Sequence, residues 1–317
     1  MQYVSDADAI ALLADPTVLA VIGFGDAAAA QDADPRRVDV GLRPIGAPAP
    51  LEVWRVRGPV SHGRDGVLAY ARDAHLQMVS LRVPERGDLR GAAQAAYAQL
   101  TAFLAASGLP HPLRVWNYFD AITEGEGDDE RYRHCCVGRA QGMGAAWPAY
   151  PAATAIGSTG TGERVLQVYA LSARCAGVPV ENPRQVSAYL YPRQYGPQPP
   201  SFARAMLAGS GSLPLLLSGT ASVVGHASAH HDDLPAQLHE TCNNLERLLA
   251  RSRERLPGLP ARFGDGCILK AYLRDPAAAD TTVSLLRQRY PGVALLLLRA
   301  EVCRRELLVE IDGFHGP

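Results

Sequence analysis

Lysine is nearly missing from this chain. Lys270 is the only one in 317 residues, so almost all of the 31 basic side chains are arginine, set against 32 acidic ones. The resulting net charge of −1 leaves no electrostatic footprint for nucleic acid or an anionic membrane, and neither is expected as a partner. No run of about 18 apolar residues occurs, so no membrane span is predicted. The first charges in MQYVSDADAIALLADPTVLAVIGFGD are acidic, unlike the basic head of a secretory leader, and a cytoplasmic protein is expected. Cys135, Cys136, Cys175, Cys242, Cys267 and Cys303 form no C-x-x-C pair, which leaves free thiols as the reading. H-E-x-x-H and G-x-S-x-G are absent, which removes the common zinc-hydrolase and serine-hydrolase signatures. GEG in TEGEGDDERYR and STGTG at 158–162 fit neither a Walker loop nor a dinucleotide loop, and GSGS at 209–212 reads as a turn.

What is present is ordinary globular usage: 47% hydrophobic and 20% charged residues, with 24 prolines and 30 glycines dispersed. The length fits about two domains with a sizeable core. Laid over each other, the halves repeat one pattern with little identity. In the second, LPLLLSGTASVVGHAS (213–228) predicts two strands. A helix follows in DLPAQLHETCNNLERLLARS, where Leu234, Leu238, Cys242, Leu245, Leu248 and Leu249 recur at helical spacing, capped by Asp232 or Asp233 ahead of Pro235. CILKAYLRD, a helix in AAADTTVSLLRQRYPG, then ALLLLRAEVC and ELLVEIDGF complete it. The first half runs through GVLAYARDAHLQMVSLRV, the helix GAAQAAYAQLTAFLAASG, RVWNYFDAI, an acid- and glycine-rich insertion TEGEGDDERYRHC, YPAATAIG and RVLQVYALSA. The expectation is an α/β (α+β) protein of two units, residues 1–175 and 176–317, each a mixed sheet with helices on one face. Residues 181–205, dense in Pro and Tyr, connect them.

Aligning LQVYAL with LLVEID puts Tyr169 opposite Glu310. Only the second half combines small residues with a carboxylate, so a pocket is expected mainly there. Alternation sets Glu310 on the face opposite Val309 and Ile311. It reads either as a solvated edge residue or, in a dry cleft, as a carboxyl whose raised pKa makes it a general acid. Cys303, seven residues earlier, reads on its own as a small buried hydrophobe. GHASAHHDD (225–233) gathers three histidines and two aspartates without metal-ligand spacing, which favours a polar helix entry over a metal site. Tyr189, Tyr191, Arg193 and Tyr195 form either a packed connection or a clamp for a planar carboxylate-bearing ring.

The second half, from YGPQPPSFARA through LLLSGTAS, HETCNNLERLLA, ILKAYLRD and RYPG to LLVEID, resembles the RidA (YjgF-like) fold. The whole chain from about residue 50 more closely resembles the chorismatases, on RVWNYFDAITEGEGDDERYRHCCVGRAQ, ENPRQVSAYLYPRQYGPQPPSFARA, SGTASVVGHAS and AEVCRRELLVEID. The resemblance implies cleavage of chorismate into pyruvate and a ring product with no metal or organic cofactor. Glu310 matches the acid that protonates the enolpyruvyl methylene. Arg139, Tyr189 and Arg193 would clamp the two carboxylates, and Gly219, Thr220 and Ser222 would shape the ring pocket. Branches of the family differ in product: a dihydrodiol, 3-hydroxybenzoate, or both 3- and 4-hydroxybenzoate in a branch linked to xanthomonadin and ubiquinone precursors. Cys303 matches the cysteine of the benzoate-forming branches, where the diol-forming branch carries alanine, so 3-hydroxybenzoate is the expected product with 4-hydroxybenzoate as companion. RidA-like imine deaminases and non-catalytic binders are the alternative. YPG at 290–292 lacks the arginine that deaminases carry just after it, and a pure binder would not need Glu310. The oligomeric state is left open, although internal duplication can replace contacts that single-unit relatives obtain by trimerising.

Overall fold

The structure is a computed structural model that describes residues 1–5, 8–25, 34–46, 49–158, 162–209 and 213–316. Most of STGTG and of GSGS therefore lies outside the described residues. At the N-terminus, β1 (Gln2–Val4), α1 (Ala9–Leu13), β2 (Val18–Phe24), β3 (Arg37–Val40) and β4 (Leu51–Arg55) build a sheet of order β1-β4-β2-β3. This sheet had no counterpart in the expected pattern.

The next strands and helices are β5 (Ser61–Asp65), β6 (Leu68–Arg72), β7 (Leu76–Pro84), α2 (Leu89–Ala106), β8 (His111–Asp120), α3 (Arg131–Met143), β9 (Ala152–Ser158) and β10 (Val165–Ala173). They form a six-stranded sheet of order β5-β6-β7-β10-β8-β9. The second unit holds β11 (Val178–Val180), β12 (Ala205–Leu207), β13 (Leu215–Ala221), the short hairpin β14 (Val223–Val224) and β15 (Ala227–Ser228), α4 (Leu234–Arg255), β16 (Ile268–Leu273), α5 (Ala279–Arg289), β17 (Ala294–Arg299) and β18 (Val309–His315). Its sheet runs β11-β12-β13-β18-β16-β17, the same plan. In each sheet the single parallel pair, β8 with β9 and β16 with β17, is the one joined through a helix, as a parallel crossover requires. The expected pair of mixed sheets with helices on one face is what the chain forms.

Local chemistry explains the helices. Asp233 accepts from the Ala236 amide and caps α4, with Pro235 in its first turn and Leu238, Cys242, Leu245, Leu248 and Leu249 buried. One helix departs from expectation: the supposed insertion turns helical from Arg131, and α3 is the counterpart of α5. Its buried residues include Arg131, Cys135, Cys136, Gly138 and Arg139, so no large apolar period marks it. A Cβ on Gly138 or Gly142 would collide with the carbonyl oxygen of Arg90 or Gln94, so glycine is what lets α3 lie this close to α2. No helix among the described residues is long and apolar enough to cross a membrane.

The helices cover the outer faces, and the inner faces meet in one core that includes Trp116, Tyr118, Tyr169, Leu216, Tyr272 and Phe314, closed by Leu19, Ile22 and Trp54 of the N-terminal sheet. Within it the lone lysine is fully buried. Lys270 Nζ lies 3.0 Å from Glu52 and 3.8 Å from Asp312, and Arg114 donates to Asp312 at 2.8 Å. These four charges come from all three sheets. Breaking a buried pair on one side strands a charge, at a cost of about 3 to 5 kcal/mol. Lys270→Met is therefore expected to lower stability by that order, and the double change Lys270→Met with Glu52→Gln to recover more than half, as read from denaturant unfolding. A single variant as stable as the parent would show that the lysine contributes nothing.

Candidate active site

A cavity of about 330 Å³ opens on the seam between the two units. The first unit supplies Asn117 of β8, Thr154 of β9, and Tyr132, Cys136 and Arg139 of α3. The second supplies Gly219, Glu310 and the loop from Cys303 to Leu307, and the connection adds Tyr191, Tyr195 and Arg204. A pocket was expected mainly on the second half, but its wall comes from both. Aligning the halves to each other compares equivalent positions and so hides a site assembled from non-equivalent faces.

Glu310 lies in β18, between β13 and β16, and is only 5% exposed, so the edge-residue reading does not apply. Val309 and Ile311 point into the helix-side core and turn Glu310 toward the cavity. Gly219 sits across from it on β13, where any Cβ would overlap the carboxyl oxygen. Burial, reinforced by the negative charge of Asp312, pushes Glu310 from 4.5 to about 8 against the opposing pull of Arg114, Arg204 and Arg304. At neutral pH this group carries a proton that it can give to a bound molecule.

Strand alternation divides the other small residues. Gly219 and Ala221 face the cavity, whereas Thr220 and Ser222 do not line it. Thr220 Oγ1 donates to the Ser218 carbonyl and Ser222 Oγ to that of Ala229, so both hydroxyls are used within the fold. Cys303 is on the wall, half-buried, and burial pushes its thiol up, which keeps it neutral.

Arg139 is 6% exposed, lines the cavity and rests over the ring of Tyr97 at 5.0 Å. Its Nε and Nη2 have no hydrogen-bond partner among the described residues. Arg204 repeats the arrangement: it is 4% exposed, its Nε is unpartnered among the described residues, and its Nη2 donates to Tyr191 OH at 2.6 Å and to the Val186 carbonyl at 3.0 Å. Two buried guanidiniums with spare donors thus face one cavity. Tyr189 and Arg193 lie off its wall. Tyr189 packs on Tyr150 at 5.4 Å, and Arg193, with an exposed side chain, holds Asp128 through two nitrogens at 2.8 and 2.5 Å. Tyr191, Tyr195, Arg204 and Arg304 take their places, with Arg304 stacked 4.1 Å over the Tyr195 ring. The connection is coil and short 3₁₀ turns, so no period in the sequence separates Tyr189 from Tyr191.

Tyr169, the counterpart of Glu310, is fully buried and stacks on Trp116 at 4.6 Å. The histidine cluster is a helix entry: Asp233 caps α4, and His226 meets Tyr195 OH at 3.2 Å.

Residues 52–172 match the family model described as Chorismatase FkbO/Hyg5-like, N-terminal. A 3-hydroxybenzoate synthase of Streptomyces hygroscopicus is 36% identical over 276 residues, covering 83% of this chain and 80% of that protein. A chorismatase of the same organism is 36% identical over 272 residues, covering 83% and 78%. A crystal structure of a chorismatase superposes with a TM-score of 0.86 at 31% identity, covering 99% of this chain and 97% of the other. Identity of this order along most of both chains, on a matching fold, makes the chain an enzyme of the chorismatase family.

Proposed function

We propose that the protein converts chorismate to pyruvate and 3-hydroxybenzoate, with 4-hydroxybenzoate as a companion product, and that Glu310 is the general acid. The observation that carries this reading is a buried Glu310, its carboxyl pushed up to about 8, on a wall shared with two arginines that have donors to spare. Chorismate is a dianion, and Arg139 and Arg204 offer one guanidinium to each carboxylate. Glu310 gives its proton to the enolpyruvyl methylene carbon. The bond from the ring carbon to the ether oxygen breaks, its electron pair stays on that oxygen, and pyruvate departs. The neighbouring ring hydroxyl attacks the vacated carbon and returns a proton to Glu310, which leaves its oxygen bridging two ring carbons. The older of these two C–O bonds then breaks with its electron pair on oxygen, and the C–H proton lost from the carbon that keeps the oxygen passes to that oxygen as the ring becomes aromatic, giving 3-hydroxybenzoate; opening of the newer bond instead gives 4-hydroxybenzoate. No water enters the products, whereas the diol route consumes one. The 3-hydroxybenzoate synthase among the relatives supports the benzoate outcome, as does a cysteine, Cys303, on the cavity wall.

All of these steps are assigned to side chains, so turnover of chorismate is expected to survive exhaustive chelation and dialysis. Activity lost on chelation and restored by zinc would contradict this.

Glu310→Gln keeps the shape and removes the proton, so pyruvate release is expected to fall by about 10² to 10⁴. Tyr169→Phe should cost far less, and equal losses would refute a single site. In the parent, activity should fall as pH rises through about 8, where Glu310 ionises. The sign for stability follows: the unfolded carboxyl loses its proton near 4.5 and the folded one near 8, so stability declines across that window and levels above it. The cost is about 3 kcal/mol at pH 7. Glu310→Gln should therefore raise the melting temperature at neutral pH and flatten its dependence on pH.

Cys303 is expected to bias the partition after the shared protonation. Cys303→Ala opens room for a water, and a change of about 1.4 kcal/mol alters the ratio tenfold. The dihydrodiol fraction should rise in chromatography of the ring products, with pyruvate release reduced less than in Glu310→Gln. An unchanged ratio in an active variant would reduce Cys303 to packing.

A further inference from the structure

Asp312 follows Glu310 by two residues on β18, so strand alternation turns both side chains toward the first unit, while Ile311 between them enters the helix-side core. The Asp312 side chain is fully buried. Its Oδ2 accepts from Arg114 Nη2 at 2.8 Å, Thr154 Oγ1 at 2.8 Å, Tyr272 OH at 3.1 Å and Trp116 Nε1 at 3.2 Å. Three of these donors belong to the first unit. Oδ1 has no hydrogen-bond partner among the described residues, and Lys270 Nζ stands 3.8 Å from it.

This is more than an ion pair that joins two sheets, because its donors lead into the site. Thr154 lines the cavity. Asn117 Nδ2 donates to the Thr154 carbonyl at 3.0 Å, and Tyr97 OH donates to Asn117 Oδ1 at 2.6 Å. The Tyr97 ring carries the Arg139 guanidinium. Tyr272, the fourth donor, is the cross-strand partner of Glu310. One buried carboxylate therefore touches the strand neighbour of the acid and begins the chain that ends under a spare guanidinium.

We propose that Asp312 is a positioning residue for the reaction: its fixed negative charge, on the same strand face as Glu310, keeps the proton on Glu310 until substrate takes it, and its bond to Thr154 sets the opposite wall. This rests on reading Glu310 as the acid. Around Glu310 stand Tyr272 of β16, Arg114 of β8, Tyr132 and Cys136 of α3, Arg204 of the connection, and Cys303 and Arg304 of the loop before β18, while Lys270 of β16 pairs with Asp312 and the carboxylates Glu130 and Glu306 also line the cavity. β13 contributes Gly219 and Ala221 to the cavity wall. Arg114, Arg204 and Arg304 favour the anion, whereas Asp312 favours the acid.

The test is the pH profile of pyruvate release from chorismate, recorded as kcat/KM between about pH 6 and 9. In Asp312→Asn the alkaline limb should move about 1 to 2 pH units lower, so that activity missing at pH 8 returns on acidification. Asp312→Glu, which keeps the charge, should keep the limb where it is even if bulk lowers the rate. Arg114→Gln removes an opposing cation and should move the limb upward, and this arm decides the matter if Asp312→Asn does not accumulate folded. Uniform loss at every pH with an unmoved limb, or no upward movement in Arg114→Gln, would overturn the proposal. A parent limb that persists in an active Glu310→Gln enzyme would instead overturn the assignment of the acid itself.

Discussion

Arg114 from the first unit and Lys270 from the second converge on Asp312, with Glu52 of the N-terminal sheet beyond the lysine, and none of the four is exposed. Taking such charges out of water costs several kcal/mol each unless partners and hydrogen bonds replace the lost solvation. No single sheet can meet that condition, because each supplies only part of the set. The network accordingly ties the three sheets together through charges that none of them pairs completely alone. Trp116, Phe314 and Phe24 surround the lysine at 5.3, 5.8 and 5.5 Å and exclude water from it.

From that placement the site follows. The seam brings the inner face of β18 against β8, β9 and α3, so a carboxyl that is one residue in a regular strand ends buried in a cleft facing arginines from elsewhere. Gly219 leaves the carboxyl its space, and burial keeps its proton on. A group held neutral against its solution preference weakens the fold, and the general-acid role proposed for Glu310 would make this an exchange of stability for activity. The duplicated half makes the contrast plain. Where the sequence repeat aligns a residue with Glu310 it carries Tyr169, whose ring stacks on Trp116 within the apolar core.

The repeat, the capped and periodic α4, and the placing of Glu310 on the face opposite Val309 and Ile311 were legible because each follows from a simple pattern: alternation in strands, three-to-four spacing in helices, aspartate before a helix. The missing readings share a different cause. α3 hides because its buried face is cysteine, glycine and arginine, which only make sense against α2 and the cavity. Thr220 and Ser222 were grouped with Gly219 by proximity in sequence, although period two sends Thr220 to the other side. Arg204 and Tyr191 stand within strings already singled out, but in an irregular connection nothing local distinguishes them from Arg193 and Tyr189. The N-terminal sheet and its Glu52 contribute to the core through contacts hundreds of residues away in the chain, as the 218-residue separation of Glu52 from Lys270 illustrates.

The central claim is that Glu310 stores a proton at neutral pH because it is buried at the seam beside Asp312. Infrared difference spectra between the parent and Glu310→Gln, recorded as pH is raised, read the protonated carboxyl directly. A carboxylic acid band that persists through neutrality and converts to carboxylate near pH 8 is the expected result. A band already converted at an ordinary carboxyl pKa, near 4.5, would contradict the account.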